Sequence, residues 1–181
     1  MSLTTLDIKE PGINPLPPGV ERYIVEGGGL TGIQILPDDE IEIINNEGNQ
    51  ICEISVFNKD GKSELSILGL KEIKNTSEIK KILFKKDETS LQALLQLKKR
   101  NLNIEKSKSS LIFDKETKAG EKTKLKSKDK CYCIIAAPGN EMLIHEQNPS
   151  TELTVMVTRS LIKKDKEFSI IPDPVSYTHL T

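Results

Sequence analysis

The sequence predicts a mainly β protein of the α+β kind, an antiparallel β-barrel or sandwich with one or two helices packed on it. Three observations predict it. Short apolar runs alternate with a period of two, as in Ile33 and Ile35 or Ile41 and Ile43, which points side chains to one face of a strand. Turn-forming residues separate these runs at short intervals, as at Pro37-Asp38-Asp39, Glu47-Gly48 and Asp60-Gly61. Tryptophan is absent and aromatic residues are 4% of the chain, so the core must be built from Ile, Leu and Val, whose β-branched members suit a sheet.

Residues 1–20 hold Pro11, Pro15, Pro17 and Pro18 and read as an extended lead-in, because proline gives no donor to a ladder. Residues 21–168 read as one β-rich domain. Its first strand is Glu21 to Glu26, followed by Gly27, Gly28 and Gly29. The runs GIQILP, EIEIINN and NQICEISVFN then suggest a three-stranded meander, with Cys52, Ile54 and Val56 sharing a face, and SELSILGL suggests another strand.

Thr76 to Lys86 and Thr89 to Arg100 read as helices, each opening on a hydroxyl residue and closing on basic ones. Leu91, Leu94, Leu95 and Lys98 share one face of the second, with the leucines expected on the sheet. Ser109 to Asp114 reads as a strand. The lysine-rich stretch before Lys130 reads as a polar approach to a buried strand, Lys130 to Ala136, and Glu152 to Thr158 closes the domain with Leu153, Val155 and Val157 on one side. Residues 169–175 read as a linker to downstream domains. Residues 176–181, SYTHLT, resemble translated sequencing-adapter read-through and are set apart from the fold as an artefact.

The 26 basic and 27 acidic residues nearly cancel, which argues against nucleic-acid and anionic-membrane partners. Only Arg22, Arg100 and Arg159 supply the planar guanidinium fork that groove readers favour. Asp114, Glu116, Glu121 and Asp129 interrupt the lysines between Lys106 and Lys130, so that stretch reads as a solvated face. Three cysteines, without a signal peptide or a long apolar segment, suit a reducing cytoplasm.

Each candidate centre has a plain structural reading. Gly27-Gly28-Gly29 matches neither phosphate-loop spacing and is followed by a strand where those loops need a helix. Cys131 and Cys133 put two thiols on one strand face, about 6 to 7 Å apart along the backbone, but zinc normally takes four ligands. Both, with Cys52, read as buried apolar thiols. His145 precedes Glu146 and reads as a surface or loop histidine. Asp38, Asp39 and Glu40 lack the spacing of a calcium loop and read as a turn between strands. No catalytic, cofactor-binding or metal-binding residue is assigned in this chain.

Two segments carry a family resemblance. Ile33 to Asn58, ending in INNEGNQICEISVFN, is similar to the strand-turn-strand pattern of urea carboxylase-associated domains. Ile134 to Arg159, with AAPGNEM, EQNPSTEL and VTR, resembles a module at the front of glycine cleavage T-protein-like aminomethyltransferases. The resemblance implies a parent enzyme of one-carbon metabolism that uses tetrahydrofolate, encoded beyond Pro174, and a chain whose partners are its own downstream domains. It also implies an Asp where Glu53 stands, and a metal-holding His-Asp and Cys-rich region that has no counterpart after Asn58.

The expected function is therefore a non-catalytic accessory module of a folate-dependent aminomethyl or methyl transferase acting on a methylated amine or glycine derivative. The alternatives are a stand-alone cupin-like barrel with a small ligand or metal near Cys131, Cys133 or His145, and an interaction protein that pairs through the edge of the Glu21 to Glu26 strand.

Overall fold

The computed structural model describes residues 16–72, 77–139 and 149–160. His145, the linker and the last six residues lie outside them. Two four-stranded antiparallel sheets face one another without closing into a barrel, so the sandwich alternative holds. One sheet has the order β1 (Val20–Val25), β8 (Leu153–Thr158), β3 (Glu40–Asn45), β6 (Glu121–Lys126). The other has β2 (Leu30–Ile35), β7 (Cys131–Ala136), β4 (Cys52–Asn58), β5 (Ser109–Phe113).

The meander does not form. β3 lies in one sheet, while β2 and β4 lie in the other on either side of β7. Alternation specifies which side chains turn inward but not which strand lies alongside, and here the chain changes sheets at nearly every turn. The inward sets are those read from the sequence. Ile33, Ile35, Ile41, Ile43, Cys52, Ile54 and Val56 join Leu153, Val155 and Val157 in one buried cluster between the sheets.

Two further corrections concern strands. SELSILGL holds a 3-10 turn over Leu65–Leu68, because its buried residues Leu65, Ile67 and Leu68 are not spaced in twos, and Gly69 closes it at φ 69°. The expected polar approach contains β6, whose Thr123 and Leu125 turn inward between exposed lysines.

The helices α1 (Glu78–Leu83) and α2 (Glu88–Lys99) form a third layer over the outer face of the β2-β7-β4-β5 sheet. Ser77 caps α1 by accepting from the Lys80 amide at 3.4 Å. Asp87, not Thr89, caps α2, accepting from the Ser90 amide at 2.7 Å. α2 also sits rotated from expectation. Ser90 and Leu97 are buried, whereas Leu91 and Leu95 are 50% and 58% exposed. Leu94, of the expected leucines, does pack against the buried cluster beside Ala93 and Leu97, and the Ser90 hydroxyl donates to the Ile82 carbonyl of α1 at 2.8 Å.

Candidate functional site

A groove runs between α2 and β2. One part, of about 500 Å³, lies at the glycine turn beside Gly29, Leu30, Leu83 and Ala93. A second part, of about 330 Å³, continues from Leu30 and Ala93 to Gln34, Arg100, Tyr132 and Ile134. This is a size that holds small ligands or peptide side chains. The glycines belong to its architecture. Gly28 sits at φ +79° and its amide donates to the Ala137 carbonyl at 2.7 Å, while a Cβ on Gly27 would lie 2.5 Å from the Ser150 carbonyl oxygen.

The thiols of Cys131 and Cys133 do share a face, with sulfurs 3.8 Å apart, and Ser127 Oγ lies 3.7 Å from Cys131 Sγ. Both are buried among Ile and Val side chains between the sheets, away from the groove. The contact with Cys131, and then burial, push the Cys133 thiol up. Burial first, and Glu53 second, push the Cys52 thiol up as well. Cys133 and Cys52, so held, favour the protonated thiol and are poor nucleophiles and poor metal ligands, whereas the hydrogen bond with Cys133 lowers Cys131 against its burial. Among the described residues no group of three or more His, Cys, Asp or Glu is placed to hold a metal ion.

Most of the buried polar groups have structural partners that sequence reasoning missed. Asp39, read as a turn residue, is fully buried and accepts from Arg159 Nη1 at 2.8 Å, the Ser160 amide at 2.9 Å and the Leu36 amide at 2.9 Å. Arg159 also pairs with Glu21 at 2.6 Å and donates to the Gln34 carbonyl at 2.8 Å. Burial opposes the charge on Arg159, but the hydrogen bonds to Glu21 and Asp39 outweigh it and raise the guanidinium above its ordinary value. Burial, then the bond to Glu21, raises Tyr23. The network ties β1 and β8 to the turn between β2 and β3, and so ties one sheet to the other.

Glu53 is 2% exposed and accepts from Ser77 Oγ at 2.6 Å and the Glu78 amide at 2.9 Å, which anchors α1 to β4. At the opposite end of the sandwich from Arg159, the Gln50 amide joins the Pro138 carbonyl and the Thr151 amide, at 2.9 and 2.8 Å. A carboxylate far from any basic partner in the sequence gives no sign of such roles. Only the odd placement of Glu53 in an apolar run signals burial.

The fold and groove define a helix-backed β-sandwich module whose buried charges serve its own packing. No family model matches the chain. It is similar to the trimethylamine-oxide aldolase of Ruegeria pomeroyi, with 33% identity over 170 residues. That match covers 93% of this chain and 21% of the relative, so the chain spans about a fifth of the relative's length. No helix among the described residues is long and apolar enough to cross a membrane.

Proposed function

We propose that this chain is a non-catalytic accessory module of a larger one-carbon enzyme that acts on a methylated amine. The observation that carries the reading is the match itself, which runs through 93% of the chain while taking up 21% of an enzyme named for a methylated amine oxide. The geometry supports it, because Arg159, Asp39, Glu53 and Gln50 are spent on tying elements together and the thiols are sealed in an apolar interior. The resemblance of Ile134 to Arg159 to the front of aminomethyltransferases supports the finer reading. In it, downstream domains of the same polypeptide transfer the one-carbon unit to tetrahydrofolate.

The test is to purify the complete gene product and supply trimethylamine oxide carrying ¹³C methyl groups, with and without tetrahydrofolate. Expected are loss of one labelled methyl carbon from the amine and its recovery on the folate. A gene that ends just after this region, or a complete protein that leaves the methylated amine intact, would overturn the reading.

A further inference from the structure

We propose that the free edge of β2 and the groove beside it receive an extended strand from another part of the same, longer polypeptide. The inference rests on the reading of this chain as a module of a larger enzyme, and it names the surface by which the module is held.

Among the described residues, β2 is the last strand of its sheet and pairs only with β7. The Ala137 amide donates to the Gly29 carbonyl at 3.0 Å, which sets the phase of the ladder. In that phase Thr31, Ile33 and Ile35 exchange hydrogen bonds with β7, while Leu30, Gly32 and Gln34 turn their N–H and C=O groups away from it. Arg159 takes the Gln34 carbonyl. The outward groups of Leu30 and Gly32, and the Gln34 amide, are left facing outward along the groove side.

The four sheet edges differ in how they are guarded. β6 carries Lys122, Lys124 and Lys126, β1 carries Glu21 and Arg22, and the β5 ladder is broken by a register shift at Cys52 and Glu53. These are the devices that keep an edge from pairing. β2, LTGIQI, has no charge, no proline and no bulge, and at its centre Gly32 is exposed and leaves the backbone bare.

An edge with no charge of its own, beside a groove that is apolar at Leu30, Ala93 and Tyr132 and polar at Gln34, Gln96 and Arg100, is the geometry of strand addition, in which main-chain bonds give affinity and alternate side chains enter pockets. The added strand would place every second residue against the half-buried Leu30, Ala93 and Tyr132, so its chemistry is extended, apolar at alternating positions and free of proline. About four fifths of the relative's length lies outside the matched region, and this supplies the source.

The test is amide hydrogen exchange on the complete gene product. Exchange at Gly32 and Gln34 is expected to be slowed on the order of 100-fold relative to an open strand edge, and to be unchanged on dilution. Exchange at the open-edge rate overturns the proposal, and protection that is lost on dilution assigns the strand to a second copy and overturns it too. Gln34→Pro removes an outward amide while leaving the β7 ladder whole. It is expected to speed exchange at Gly32 about tenfold and to spare Ile33, and an unchanged Gly32 counts against the idea. If that variant does not fold, the exchange of the unaltered protein decides. A gene without downstream domains sinks the proposed function, whereas downstream domains with a fast-exchanging Gly32 sink this inference alone.

Discussion

Across the outer face of the β1-β8-β3-β6 sheet, Arg22, Met156, Glu42 and Lys124 stand in one row, each paired with the next in register. On the outer face of the other sheet, Phe57, Ile134 and Ala136 are buried under α1 and α2, and Glu53 anchors α1 there. One face meets solvent with mixed charges, and the other is roofed by helices and left with a groove and a bare edge. The β6 and β1 edges carry charges of their own, which oppose pairing, while β2 carries none and meets a guanidinium only at the Gln34 carbonyl.

Substitutions on the two faces test the contrast. The largest effect is expected at Phe57, which is fully buried between β4 and the helices. Phe57→Ala should cost about 3–5 kcal/mol, read as a lowered denaturation midpoint, because the helical roof cannot collapse onto the space left. A loss below about 1 kcal/mol would mean that the helices are loosely laid on the sheet.

Glu53→Ala comes next. It leaves the Ser77 hydroxyl and the Glu78 amide without their buried acceptor. The expected cost is about 1–3 kcal/mol, concentrated in α1 as faster amide exchange. Equal loosening of β6 would show that Glu53 acts on the whole fold and not on the roof.

Lys124→Ala on the open face is expected to change stability by no more than about 0.5 kcal/mol, since its side chain is 80% exposed and its pair with Glu42 is 3.6 Å long. A larger loss would mean that the open face is not a solvated one.

The same two faces explain what was legible in the sequence. Strands with one wet face alternate cleanly, so Ile41 and Ile43, and Leu153, Val155 and Val157, declared their inward side. β7 is buried on both faces and reads as an apolar run, which shows a buried strand but not its helical cover. β6 was legible in principle from Thr123 and Leu125 between lysines, yet its high charge drew it into the reading of a polar approach.

Pairing partners were not legible, because a period of two carries no address. The Asp39–Arg159 pair joins residues 120 apart in sequence, and the Glu53–Ser77 bond spans 24, so neither has a local pattern to betray it. The turn at Gly27-Gly28-Gly29 was legible as a strand connection, but the close approach of Ser150 that requires Gly27 was not.

The most direct measurement compares two edge amides in the complete gene product, Gly32 on β2 and Lys124 on β6, each turned away from the one strand it pairs with among the described residues. Slow exchange is expected at Gly32 beside fast exchange at Lys124. Fast exchange at both would mean that no strand occupies the β2 edge.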